Sequence, residues 1–211
     1  MRRNRAAERL RLLDPLVIRG FAAQLRFARL LRGRPERPLW ALFMFVNGFI
    51  SIAILAAVGW ISHTPFIFPS LGPTAFLFFF SPHSPTASPR HTIYGHAIGI
   101  GCGVGALWVT GLQHAPAVTA DTISGHRVLA AALSLALTGA LMILLKAAHP
   151  PAGATTLIVS LGLVTRPFYL VIIEVAVAAL TLQAIAMNRL AGLDYPLWAA
   201  RATPGSAAPP E

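Results

Sequence analysis

The sequence predicts an all-α fold, a polytopic transmembrane helical bundle of two inverted three-segment repeats, each with a short helix broken by Pro and Gly. Three observations lead there. Of the 211 residues, 55% are hydrophobic and only 11% are charged, where a soluble domain carries about 25% charged residues. A chain with mean hydropathy +0.65 cannot cover itself with polar surface, so lipid must be its solvent. Four stretches with at most one charge are long enough to cross a bilayer, and two further apolar pieces between them are interrupted at matching places.

The chain opens on a basic arm, residues 1–38. The formal net charge is +10, and eleven of the seventeen Lys and Arg residues fall between Arg2 and Arg37. Nucleic acid is not the expected partner, because the arm runs straight into an apolar span. A transit peptide would be Ser-rich, yet no Ser precedes Ser51. A secretory signal would place its apolar stretch nearer the start. The positive-inside rule puts the arm in the cytoplasm. Leu16, Ile18, Phe21, Ala22, Leu25 and Leu30 alternate with Arg19, Arg26 and Arg29 at roughly helical spacing. That spacing suits an amphipathic helix lying on anionic lipids; a disordered Arg-rich tail is the alternative.

The membrane domain follows, over residues 39–189. Trp40 to Trp60 is 21 residues without a charge, enough to cross a hydrocarbon core of ~30 Å, with Trp at both interfaces. Thr92 to Leu112 is a second uncharged stretch, Val128 to Leu145 a third, and Pro167 to Met187 a fourth, broken only by Glu174. Within the second, Gly95, Gly99 and Gly103 recur every four residues, on one helix face where a neighbouring backbone can approach closely. Residues 190–211 end in a run rich in Ala, Pro and Ser and read as a disordered tail.

The remaining two apolar pieces, Phe66 to Phe80 and Ala147 to Leu163, are too short and too interrupted for ordinary spans and too apolar for ordinary loops. Broken helices at membrane depth are tolerated only where protein buries them or a wet cavity meets them. The first reads Pro69-Ser-Leu-Gly72-Pro-Thr74, the second Pro150-Pro-Ala-Gly153-Ala-Thr155, so P-x-x-G-x-T recurs at an offset of 81 residues, each time between two full spans. This is an internal repeat. If the broken pieces cross, each unit has three crossings and the second is inverted, as in many transporters. If they dip in and return, four spans remain and the repeats are parallel. Charge favours six crossings, which place Arg90, Lys146, Arg189 and Arg201 on the side of the arm. Both termini are cytoplasmic either way.

Proline suits the first turn of a helix, so each motif reads as an extended approach followed by a helix start. The first N–H groups of a helix lack intrahelical partners and sit at the positive end of its dipole. In a low-dielectric interior that makes an anion site. Ser70, Gly72 and Thr74 in the first motif, and His149, Gly153, Thr155 and Thr156 in the second, are the expected substrate contacts. The glycines permit close backbone approach, and the hydroxyls can donate.

His149-Pro150-Pro151-Ala152-Gly153-Ala154-Thr155 resembles the signature of the HPP family of integral membrane proteins. Pro69-Ser70-Leu71-Gly72-Pro73-Thr74-Ala75, Ser84-Pro85-Thr86-Ala87-Ser88-Pro89-Arg90 and Gly95-His96 are similar to that family's other blocks. The resemblance runs from Leu39 to Arg189. It implies a membrane protein, usually described with four spans. Plant and cyanobacterial relatives are linked to nitrite transport, so it suggests transport of a small anion. Some relatives carry paired nucleotide-sensing domains after the membrane part; too few residues follow the last span here to hold them. The expected location is a bacterial inner membrane.

Three further residues are candidates for proton coupling or gating. Glu174 lies about 10 Å into its helix at 1.5 Å per residue, and a lone carboxylate at that depth is a functional candidate, here a proton carrier. Lys146 ends its span and can draw anions inward, or simply anchor the helix. Arg90 sits in the Pro-rich loop with His91 and can face the cytoplasmic entrance. The one cysteine, Cys102, forms no intramolecular pair. No zinc spacing, nucleophile elbow or P-loop occurs, so neither metal nor cofactor is expected and an enzyme is the least expected class. The leading expectation is a transporter or facilitator of a small anion, with a channel or a non-transporting membrane scaffold as alternatives. A homo-oligomer is compatible with all three.

Overall fold

The computed structural model describes residues 36–119 and 123–200. The expected amphipathic helix of the arm and the last residues of the tail lie outside the described residues. Within them the chain forms six α-helices, one 3₁₀ turn and no strand: α1 (Glu36–Ser62), α2 (Leu71–Phe80), the 3₁₀ turn Pro85–Ala87, α3 (Pro89–Val109), α4 (Gly125–Leu144), α5 (Ala152–Ser160) and α6 (Pro167–Leu190). Helices α1, α3, α4 and α6 are long and apolar enough to cross a membrane. Helices α2 and α5, of 10 and 9 residues, are the two broken segments.

Local sequence accounts for where the helices start and stop. Helices α3 and α6 open with Pro89 and Pro167 at the first position after an extended residue, where a missing N–H costs nothing and the fixed φ is helical. The Ser124 side chain caps α4 by accepting from the Arg127 backbone N–H. Helices α3, α5 and α6 end on left-handed Gly111, Gly162 and Gly192, the conformation a C-terminal cap needs. Helix α4 ends the same way without a glycine: Lys146 has φ 49°, and the Ala147 N–H reaches back to the Met142 carbonyl at 2.9 Å.

Contacts fix which ends lie together. Phe43 near the start of α1 meets Phe79 near the end of α2, ring centroids 6.2 Å apart, and Asn188 at the end of α6 donates to the Phe78 carbonyl. Arg90 at the start of α3 donates to the carbonyl of Lys146 just after α4. At the other end of the bundle, Arg127 near the start of α4 donates to the Ser160 carbonyl that ends α5, and the Val118 N–H donates to Leu161. A Cβ on Gly95, Gly99 or Gly103 would meet His149, Ala152 and Val159 in turn, so α5 runs alongside α3 in the same direction. Neither broken segment returns to the end it left. Each, with its approach, carries the chain from one end of the bundle to the other.

The helices pack as two linked groups. Helix α3 lies against α4 and α5, and α6 against α1 and α2, with α3 and α6 in contact. Exchanging α1 with α4, α2 with α5 and α3 with α6 maps this set of packed pairs onto itself. The α1–α2–α6 group is filled by large side chains, among them Leu55, Leu71, Phe78, Phe79, Ile173 and Leu180, all at most 1% exposed. The α3–α5 contact is made by small residues instead. Outward faces carry exposed Phe45, Phe49, Trp108 and Leu182, and lipid is what covers them in a multi-pass protein.

One sequence expectation is corrected. The chain from 191 to 200, read as the start of a disordered tail, is packed onto the bundle. Tyr195 is 1% exposed, stacks edge-on against Phe78 at 6.3 Å and donates its hydroxyl to the Ala87 carbonyl. Burial raises the phenol above its ordinary pKa, which keeps that donor proton in place. The apolar ring and the hydroxyl at its tip have partners only in the folded bundle, so composition alone reads this stretch as tail.

Candidate functional site

The starts of α2 and α5 line one open groove on the surface of the bundle. It measures about 640 Å³ and is lined by Gly72, Pro73, Phe76 and Leu77 from the first motif and Pro150, Pro151 and Ala154 from the second. Gly72 has no neighbour within 4 Å of where its Cβ would be, and Gly153 has only Leu135 Cδ1, at 3.3 Å. The lining is apolar and carries no charged side chain.

The hydroxyls expected to reach a substrate are directed elsewhere. Thr74 and Thr155, each next to a lining residue, are fully buried. Thr155 Oγ1 is 2.7 Å from His96 Nδ1. Thr74 Oγ1 is 3.0 Å from His96 Nε2, 3.3 Å from His149 Nε2 and 2.9 Å from the Ser70 carbonyl. His149 Nδ1 is 2.8 Å from the Thr86 carbonyl. Both imidazoles are fully buried, with ring centroids 5.1 Å apart.

Donor and acceptor chemistry orders this network. A carbonyl only accepts, so His149 Nδ1 carries a hydrogen and, in the neutral ring, Nε2 is bare. Thr74 is the donor within reach of that nitrogen. Thr74 Oγ1 then accepts from His96 Nε2–H, and His96 Nδ1 accepts from the Thr155 hydroxyl. When the Thr74 hydrogen points to His149, one direction of donation runs from Thr155 through His96, Thr74 and His149 to Thr86 and satisfies every ring nitrogen. The Thr74 hydrogen has a competing acceptor in Ser70, the usual i−4 carbonyl of a helical Thr.

The backbone donors at the start of α5 are also occupied. Ala152, Gly153 and Ala154 N–H donate to the carbonyls of His149, Pro150 and Pro151 at 3.0, 2.9 and 3.1 Å, tightening the first turn. Pro73 has no N–H to offer in α2. The expectation of free amides is thus corrected at the start of α5, while at α2 the Leu71 N–H donates to the Phe68 carbonyl; the groove faces the positive ends of two helix dipoles. Ser70 and Thr156 are fully buried, and their hydroxyl oxygens have no hydrogen-bond partner among the described residues.

The three coupling candidates lie apart from the groove lining. Arg90 donates to the Lys146 carbonyl at 2.7 Å and lies over the Tyr94 ring at 5.5 Å. His91 Nε2 is 2.9 Å from the same carbonyl. The left-handed turn at Lys146 exposes that oxygen, so Lys146 contributes its backbone to this corner. Glu174 is half-buried on α6, and neither carboxylate oxygen has a partner among the described residues.

His96 is the residue that sequence reasoning undervalued. It bridges the two helix starts, bonding to Thr74 and Thr155 at once. One signal pointed to it: His96 lies seven residues after Pro89, which opens α3, as Glu174 lies seven after Pro167, which opens α6. The glycine spacing belongs to the same contact. A Cβ on Gly95 would fall 2.6 Å from His149 Cβ, and one on Gly99 2.8 Å from the Ala152 carbonyl oxygen.

Comparison with known proteins agrees with a membrane-spanning chain. A family model described as HPP, transmembrane region, matches residues 34–196. A transmembrane protein of Dictyostelium discoideum is 33% identical over 155 residues, covering 70% of this chain and 47% of its own. The chain therefore spans about half the length of the curated relative it matches. No solved structure matches.

Proposed function

The chain belongs to the HPP transmembrane family, and from that premise we propose that it is a transporter or facilitator of a small anion, nitrite-like in size and charge. The observation that carries this reading is the open groove lined by the starts of both α2 and α5. Two helices of the same motif aim their positive ends into one space, and a small anion gains from both dipoles at once in a low-dielectric setting. In this reading the chain is two inverted repeats in a bacterial inner membrane, with both termini cytoplasmic and the basic arm on anionic lipid. The exchange of packed helix pairs and the direction of each broken segment support it. Glu174, at the position equivalent to His96, couples transport to protons, with Arg90 and Lys146 at the cytoplasmic approach.

The test is uptake into liposomes containing the purified protein, with nitrite, nitrate, formate and chloride offered in turn, with and without a pH gradient. Saturable uptake of at least one anion is expected. In Gly72→Val the added side chain enters open space, so the protein should fold with parental thermal stability yet lose most of that uptake. Uptake no faster than through protein-free liposomes for every anion defeats the reading.

A further inference from the structure

We propose that His96 and His149, joined through Thr74, form one proton-binding site that shares a single proton between the two rings. The inference goes beyond the anion reading and does not depend on it. Two fully buried imidazoles in a membrane domain need a reason, because apolar side chains would fill the same space without four hydrogen bonds to satisfy. Here every ring nitrogen has a partner, and the partners form a continuous chain: Thr155 to His96 at 2.7 Å, His96 to Thr74 at 3.0 Å, Thr74 to His149 at 3.3 Å and His149 to the Thr86 carbonyl at 2.8 Å. A hydroxyl between two imidazoles can accept from one and donate to the other.

The transfer balances. When His96 Nδ1 takes up a proton, the Thr155 hydroxyl turns from donor to acceptor and His96 becomes an imidazolium. His96 Nε2 gives its hydrogen to Thr74 Oγ1 as Thr74 gives its own to His149 Nε2. One N–H and one O–H bond break, and one O–H and one N–H bond form. Thr74 is again a neutral hydroxyl, His96 is neutral with its hydrogen on Nδ1, and His149 carries the charge. The longest link, Thr74 to His149, sets when this happens: the hydroxyl must leave the Ser70 carbonyl, 2.9 Å away, for the ring.

The spacing also fixes the capacity. With ring centroids 5.1 Å apart, two buried positive charges repel strongly, so the pair holds one proton and titrates as a unit. The charged and titratable groups that the surrounding elements bring are Arg90, His91, Tyr94 and Cys102 on α3, Lys146 after α4, Tyr169, Glu174 and Arg189 on α6, and His83 and Tyr195 beside the 3₁₀ turn. His126 and Arg127 lie at the far end of α4, and α2, α5 and the 3₁₀ turn contribute only hydroxyls and carbonyls.

The experiment needs no transported substrate. The full chain, with histidine ring nitrogens labelled with ¹⁵N, is placed in lipid nanodiscs and titrated from about pH 8 to about pH 3. His96→Gln and His149→Gln assign the signals while keeping a polar side chain. In the parent, both rings should shift together, their summed occupancy levelling at one proton. In each variant the remaining ring alone should take up one proton over the same range. If a variant does not fold, the summed occupancy of the parent still decides. Two protons taken up independently, or none at either ring while circular dichroism shows the helices intact, overturns the proposal. Failure of anion uptake in liposomes leaves this result unchanged, so the two readings fail separately.

Discussion

At the residue scale, small differences in what surrounds a side chain separate structural from functional positions. The glycines of α3 divide by face. A Cβ on Gly103 would lie 2.7 Å from Val159 Cβ, with Gly95 and Gly99 as tight, while Gly101 and Gly105 have nothing within 4 Å. Alanine at 95, 99 or 103 should therefore push α5 off α3 and cost about 1–3 kcal/mol each. Alanine at 101 or 105 should be neutral or stabilise by up to ~1 kcal/mol. Thermal unfolding of the five variants in one detergent checks this; equal effects on both faces would remove the glycine stripe as the packing seam. Glu174 makes the opposite case. A charge near the bilayer centre costs roughly 3 kcal/mol, and this carboxylate has no partner among the described residues. Glu174→Gln should leave stability unchanged or raised while slowing uptake driven by a pH gradient more than exchange at equal pH. A fall in stability with equal loss of both activities would mark the carboxylate as structural.

At the element scale, the segment from 191 to 200 acts as a strap across the loop that feeds α3. Its contacts are specific: Tyr195 to the Ala87 carbonyl, Tyr195 against Phe78, and the Trp198 carbonyl accepting from the Arg90 N–H at 3.0 Å. The strap thereby holds the 3₁₀ turn whose Thr86 carbonyl receives His149. Tyr195→Phe keeps the ring and deletes the hydroxyl, leaving the Ala87 carbonyl without that donor. It should cost about 1 kcal/mol, a Tm lower by about 2–4 °C for a chain of this size, and should loosen the turn. Scanning calorimetry together with hydrogen exchange over residues 81–91 measures both. A Tm equal to the parent's, with unchanged exchange, would show that the strap is held by its apolar ring alone.

At the scale of the whole molecule, the arrangement of ends makes a topological prediction. The loop at Ser84 lies with the end of α6, and the loop at His114 lies with the end of α5. In a background with Cys102 replaced, Ser84→Cys should react with a membrane-impermeant thiol reagent only from the cytoplasmic side, and His114→Cys only from outside. Labelling of Ser84→Cys from outside and of His114→Cys from the cytoplasmic side would mean that the broken segments return to the face they entered, leaving four crossings.

The sequence by itself determined the membrane class, the four long spans and the two broken helices. Those follow from quantities local to the chain: the length of each uncharged run, the prolines at helix starts, and P-x-x-G-x-T recurring at an offset of 81 residues. It also flagged Thr74, Thr155 and His149, because polar residues beside a break in an apolar segment stand out without any fold. It did not reveal that these three turn toward His96, since His96 is distant in sequence from His149 and joins it only when α3 and α5 run side by side. Nor did it reveal that the first amides of α5 are bonded locally, that Lys146 serves through its carbonyl, or that Tyr195 locks the strap. Tertiary structure decided each of these, because a hydrogen bond is set by the position of two groups that only packing brings within about 3 Å. Helix packing in a membrane is itself decided by surface shape, here the glycine face of α3 against α5, and the hydrophobic pattern that marks a span says nothing of which neighbour it meets.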